Sequence, residues 1–176
     1  MKVVIVGGVA GGATAAARIR RLDEEAEIVV FERTGYISYA NCGLPYYIGG
    51  TIEDAEELTL QTPESFWKRF RVQMKVHHEV TAIHPERKTV SVKNLENAEE
   101  FEASYDKLLL SPGAKPVLPK ISGIGNEKLF TLRTVEDTFK IKKYIEEKKP
   151  KSVILAGGGF NQSGNWQKIY GNQEWR

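Results

Sequence analysis

The sequence predicts an α/β fold. A parallel sheet built on a βαβ unit comes first, an antiparallel β-meander follows, and a second, similar α/β unit starts near the C-terminus. Three observations predict it. An apolar run at 2–6 breaks on Gly7-Gly8-Val9-Ala10-Gly11-Gly12, and small and apolar residues follow from Gly11 to Leu22. A β-branched run at 27–31 then closes a strand–turn–helix–strand unit of about 30 residues, whose two strands run parallel. Late in the chain Val153-Ile154-Leu155-Ala156 runs into Gly157-Gly158-Gly159 in the same manner.

The other elements follow in order. Residues 35–50, rich in Gly, Tyr and Asn, read as a loop. Thr62 is an N-cap and Pro63 the first helical residue of a helix reaching about Phe70. Residues 76–84, 88–93 and 99–105 alternate or carry β-branched residues, with Pro85-Glu86-Arg87 as a turn, and read as an antiparallel meander. Leu108-Leu109-Leu110 is a short buried strand closed by Ser111-Pro112-Gly113, and 134–148 is a charged amphipathic helix. The expected organisation is a first domain over 1–115, a connecting segment and helix over 116–150, and the start of a second domain over 151–176.

Composition removes several function classes. A chain of 176 residues buries roughly 70% of its unfolded surface and folds without disulfides or metals. A net charge of +2 with no dense basic run argues against nucleic acid. No apolar stretch approaches the roughly 18 residues of a membrane span. The first apolar run is too short and glycine-broken for a signal peptide, and a single cysteine excludes an intrachain disulfide, so the expected compartment is the cytoplasm. His77, His78 and His84 lack metal-ligand spacing, and no metal is expected.

The glycine turn carries the first chemical signal. Gly7 permits a tight turn. Small residues at Gly8, Ala10, Gly11 and Gly12 let backbone amides approach a pyrophosphate at the positive end of the following helix. Glu32 ends the second strand, where a carboxylate accepts hydrogen bonds from an adenosine ribose. The second signal is Cys42, in the polar stretch Ser38-Tyr39-Ala40-Asn41-Cys42-Gly43-Leu44-Pro45. From the residues alone Cys42 is either a small buried core thiol or a reactive one. As a thiolate it is a nucleophile, and any disulfide it makes must be with a small thiol or another chain.

These pieces resemble the N-terminal part of the FAD-dependent pyridine nucleotide–disulfide oxidoreductases. The nearest likeness is to the single-cysteine branch that holds coenzyme A-disulfide reductases and NADH oxidases. Val6 through Thr14, Phe31-Glu32-Arg33, Ser38 through Tyr46, His78-Glu79-Val80, Tyr105-Asp106-Lys107, Ser111 through Ala114, Thr131-Leu132-Arg133 and Gly157 through Phe160 match in order. The resemblance implies a Rossmann-like FAD-binding domain. Gly7, Gly8, Ala10, Gly11, Gly12, Glu32 and Arg33 would bind FAD, with Val80 at the adenine and Ser111, Gly113 and Arg133 at the flavin. Cys42 would be redox-active. Electrons from NADH or NADPH would pass through FAD to a mixed disulfide of Cys42 with coenzyme A.

Within the family, oxidases and peroxidases typically carry a His in the first glycine loop, where this chain has Val9-Ala10. That favours a disulfide substrate over NADH oxidase, peroxidase or polysulfide reductase chemistry. Thr14, Arg18 and Arg21 fall on one helical face and, with Ser38 and Asn41, would bind coenzyme A or a related small disulfide. Related reductases can place a Lys where this chain has Phe70, between Arg69 and Arg71.

The resemblance stops after Phe160. Residues 161–176 hold six Asn and Gln, as many as the preceding 160 residues together, so the composition changes where a cofactor helix should begin. The expectation is an out-of-frame tail. The nicotinamide helix and the dimerisation domain of a homodimeric parent would then be missing, and this fragment would bind FAD without turning over alone.

Overall fold

The computed structural model describes residues 1–118, 120, 122 and 124–154. The second glycine turn and the tail from Asn161 lie outside the described residues. The chain divides into two compact units, one of Met1–Tyr39 with Thr59–Ala114, the other of Ala40–Leu58 with the segment from Lys115 onward.

The first unit is a layered α/β structure. Strand β1 (Lys2–Val6), helix α1 (Ala10–Leu22) and strand β2 (Glu27–Phe31) form the expected βαβ unit, with β1 and β2 parallel from Lys2↔Glu27 to Val6↔Phe31. Strand β3 (Ile37–Tyr39) pairs antiparallel with β4 (Thr59–Gln61). Helix α3 (Pro63–Phe70) follows, and Thr62 caps it reciprocally with Ser65, which leaves two otherwise orphaned N–H groups satisfied. Strand β5 (Gln73–Lys75) then joins β2, and β9 (Lys107–Leu110) joins β1, so the parallel sheet has the order β5-β2-β1-β9. Between them β6 (His78–His84), β7 (Thr89–Asn94) and β8 (Glu100–Ser104) form the expected meander.

Strand alternation sorts the core into two layers. Val3, Ile5, Ile28 and Val30 face the helices and pack with Ala13, Ala16, Ala17 and Phe66. Val4, Val29 and Phe31 face the meander and pack with Val90, Val92 and Phe101. Burying each such Val or Ile contributes about 1.5–3 kcal/mol. Alanines on α1 let that helix lie close to the sheet.

The second unit carries a 3-10 turn at Asn41–Gly43, helix α2 (Leu44–Ile48) and helix α4 (Val135–Lys148), which has a Thr134–Asp137 capping box. Leu44 and Ile48 are buried, as are Val135, Thr138 and Ile141. Tyr47 meets Phe139 edge-on at 5.8 Å between ring centres.

Two sequence expectations are corrected. The segment 35–50 is not a plain loop, because it holds β3, the 3-10 turn and α2. The expected strand over 76–84 begins at His78, and a separate short strand, β5 at 73–75, precedes it. His77, at φ +55, turns the chain between β5 in the parallel sheet and β6 in the meander. Of the expected strand at Val153–Ala156, Val153 and Ile154 form no strand, and the rest lies outside the described residues. No helix among the described residues is long and apolar enough to cross a membrane.

Candidate functional site

In the first unit the C-terminal ends of three neighbouring strands converge. The chain leaves β1 at Gly7, β2 at Glu32 and β9 at Ser111. Because β1 has β2 on one side and β9 on the other, this is the point in an open parallel sheet where a crevice forms and ligands bind. The Ser111 N–H donates to Val6 O at 2.8 Å, which brings the Ser111 carbonyl against Gly7. Gly7 has φ +94, and a Cβ there would overlap the Ser111 carbonyl oxygen. A Cβ on Gly12 would overlap the Gly7 carbonyl oxygen, so glycine at both positions lets α1 start directly on the turn.

The start of α1 is unanswered by side chains. Val9 at the N-cap makes no capping hydrogen bond, and the first turn has no acidic residue. Ala10 and Gly11 are exposed there, and the Ser111 hydroxyl lies beside Gly11. Free amides at the positive end of a thirteen-residue helix suit an anion such as a pyrophosphate.

Glu32 is buried, at 7% exposure, and its carboxylate is held on both oxygens. Gly8 N–H donates to Oε2 at 2.7 Å, while the Thr34 N–H and hydroxyl each donate to Oε1 at 2.8 Å. A carboxylate offers about four acceptor positions, so this arrangement leaves one for a ribose hydroxyl. An adenine dinucleotide therefore fits the residues present. Thr34 is a partner that sequence reasoning missed; its only signal was a hydroxyl two residues after the strand-ending acid.

The remaining predicted cofactor residues are placed as follows. Val80 lies half-buried on β6, the outer strand of the meander, beside a bulge between Val80 and Ala82. His78 N–H ties the start of that strand to Glu32 O at 2.9 Å. Arg33 is exposed and faces Glu79 at 3.7 Å. Gly113 turns the chain at φ +72. Arg133 belongs to the second unit.

Of the predicted substrate residues, Thr14, Arg18 and Arg21 are all exposed on α1, as one helical face requires. Ser38 has φ +47, and its N–H donates to Gly8 O at 3.0 Å. Arg20, which sequence reasoning passed over, does different work. It points away from that face and donates to the carbonyls of Asp23, Glu24, Ala26, Phe70 and Arg71, binding the end of α1 to the end of α3.

In the second unit Cys42 is exposed on the 3-10 turn. Arg133 Nη1 donates to Asn41 Oδ1 at 2.8 Å, joining a residue expected at the substrate to one expected at the flavin. Lys142 Nζ stands 3.7 Å from the centre of the Tyr47 ring and donates to Tyr47 O at 3.3 Å. Arg133, just before α4, thus meets the cysteine turn, and Lys142 of α4 meets the α2 helix that follows it.

A family model described as pyridine nucleotide-disulphide oxidoreductase matches residues 1–161. The chain belongs to this family. It is 47% identical over 159 residues to a coenzyme A disulfide reductase of Staphylococcus aureus, covering 90% of this chain and 36% of that protein. The reduced CoADR-RHD of Bacillus anthracis is 56% identical and superposes with a TM-score of 0.83 over 85% of this chain and 27% of its own. A water-forming NADH oxidase of Lactobacillus brevis, solved with NADH bound, is 33% identical with a TM-score of 0.78, over 84% of this chain and 32% of its own. The chain spans about a third of the length of such relatives. The single cysteine and the Rossmann-like, meander-bearing α/β fold accord with this membership.

Proposed function

We propose that this chain is the FAD-binding part of an NAD(P)H-dependent reductase of coenzyme A disulfide, or of a related small disulfide, with Cys42 as its redox-active thiol. The observation that carries the proposal is the acid-free, uncapped start of α1 set beside the Glu32 carboxylate. The first suits a pyrophosphate and the second a ribose. Residues 1–115 would supply this dinucleotide site, and 116–150 would lead to a nicotinamide domain starting at 151. The complete enzyme would be a cytoplasmic homodimer. The 47% identity to a coenzyme A disulfide reductase supports the choice of substrate, as does Val9-Ala10 in place of a His in the glycine loop.

Gly7, Gly8, Ala10, Gly11 and Gly12 would hold the pyrophosphate, Glu32 the ribose, Val80 the adenine, and Ser111, Gly113 and Arg133 the flavin, with Arg33 alongside. Bound FAD would supply two-electron transfer from NADH or NADPH. The Cys42 thiolate attacks one sulfur of the disulfide. The Cys42–sulfur bond forms as the disulfide bond breaks, and one coenzyme A leaves as thiolate and takes a proton. Two electrons and a proton then release the second coenzyme A and regenerate the Cys42 thiolate. Thr14, Arg18 and Arg21 would meet the coenzyme A phosphates, with Ser38 and Asn41 at the thiol end.

The test is anaerobic thiol release from coenzyme A disulfide with NADH or NADPH, in wild type and Cys42→Ser, after FAD titration followed by flavin absorbance. The complete enzyme that contains this chain should bind FAD and release thiol, and its C42S form should only bind FAD. Equal thiol release by C42S, or, when air or peroxide is admitted, consumption of oxygen or peroxide in place of thiol release, would overturn the reading. A second reading is a non-catalytic FAD-binding chain, favoured by Asn161-Gln162-Ser163-Gly164 standing where a cofactor helix should start. FAD binding without NAD(P)H oxidation would select it.

A further inference from the structure

We infer that Arg133 is a positioning residue for the cysteine turn: it orients the Asn41 side-chain amide so that its NH2 group is a hydrogen-bond donor beside Cys42. This rests on Cys42 being the reacting thiol, as proposed above. A guanidinium has donors only, so the amide facing it across 2.8 Å must present its oxygen. The Asn41 nitrogen, with both hydrogens, is then turned away from Arg133. It sits on the residue directly preceding Cys42, and both residues are exposed.

Arg133 is itself fixed. Its N–H and that of Thr134 both donate to Asp137 Oδ2 at 3.1 Å, and Asp137 N–H donates to Thr134 Oγ1 at 3.2 Å. Val135, Thr138 and Ile141 anchor the helix that follows. The guanidinium is therefore presented from the residue just before the α4 N-cap, whose backbone the capping box holds, 92 residues from the amide it meets. The consequence is selectivity: a molecule reaching Cys42 with a carbonyl near its reacting atom gains a hydrogen bond that an apolar one does not.

The test is alkylation of Cys42, the only cysteine, by iodoacetamide, which carries a carbonyl acceptor, and by methyl iodide, which does not. It needs neither FAD nor NAD(P)H, so its result is independent of whether the protein reduces disulfides. The iodoacetamide-to-methyl iodide rate ratio should fall about five-fold in Arg133→Met and in Asn41→Ala, and no further in the double variant, because coupled residues are not additive. Arg133→Lys should keep most of the ratio. Loosening of the turn alone would change both rates alike. Asn41→Asp keeps the acceptor for Arg133 and removes the donor, so its ratio should fall as in N41A even if R133M does not fold. An unchanged ratio in N41D, or single effects that multiply in the double variant, would overturn the inference.

Discussion

Glu32 closes on the glycine turn through Gly8: the backbone N–H at the end of β1 donates to the carboxylate at the end of β2, at 2.7 Å and 24 residues apart. The same side chain takes two donors from Thr34, so one buried carboxylate organises both the turn and the strand exit.

Glu32→Ala should therefore affect fold and ligand together. It strands three donors, two of them on partly buried Thr34 and able to turn to water, and a bond to a charged group contributes about 1.5–3 kcal/mol net. The expected loss is about 3 kcal/mol in urea unfolding. FAD affinity, read by flavin fluorescence, should fall at least about ten-fold, equivalent to 1.4 kcal/mol. Unchanged FAD binding in a folded variant would remove Glu32 from the site.

Gly12→Ala tests the close approach. Its methyl group would overlap the Gly7 carbonyl, which is backbone and cannot swing aside. Overpacking of this kind costs about 1–3 kcal/mol, and here the start of α1 must shift off the turn. Thermal melting should drop and FAD binding should weaken. Ala15→Gly, on the same helix, should cost about 1 kcal/mol in stability and leave binding intact.

Arg20 and Arg18 should separate sharply. Arg20 donates to five carbonyls at the ends of α1 and α3, whereas Arg18 is exposed on the opposite side of α1. Arg20→Ala should cost about 2 kcal/mol in denaturant unfolding, since partly buried carbonyls lose a charged donor. Arg18→Ala should stay within about 0.5 kcal/mol. Arg20→Lys should recover little, because one ammonium cannot span the fork of carbonyls.

Glu64 gives α3 a dependence on acid. Its own backbone N–H and the Thr62 hydroxyl hold its carboxyl below the ordinary range, and Lys68 adds a smaller pull in the same direction. A carboxyl whose pKa is lower folded than unfolded adds stability above its unfolded pKa. That stability is lost as pH falls through the folded value. Wild type should melt slightly above Glu64→Gln at neutral pH, and the gap should close on acidification below the carboxylate range. A gap that widens in acid would contradict the sign.

Much of the fold could be read locally. Thr62 and Pro63 announce α3 because capping and a fixed φ act within one turn, and the structure begins that helix at Pro63. The strand at 27–31 and the helix at 134–148 stand within a residue of their expected bounds. Strand β5 at 73–75 was not legible, because it is defined by pairing with β2 more than forty residues earlier. Helix α2 was missed because five residues, with only Leu44 and Ile48 buried, are too short to show a period.

Residue type and short spacing were enough for the α/β class, the glycine turn and Glu32, whereas the exposure of Cys42 is seen only in the structure. The first three depend on steric freedom, capping and charge within a few residues. Which carbonyls Arg20 gathers, which donors hold Glu32, and that Arg133 finds Asn41 were settled by folding. Each depends on where distant segments return, and a side-chain hydrogen bond across 92 residues leaves no periodicity in the chain that makes it.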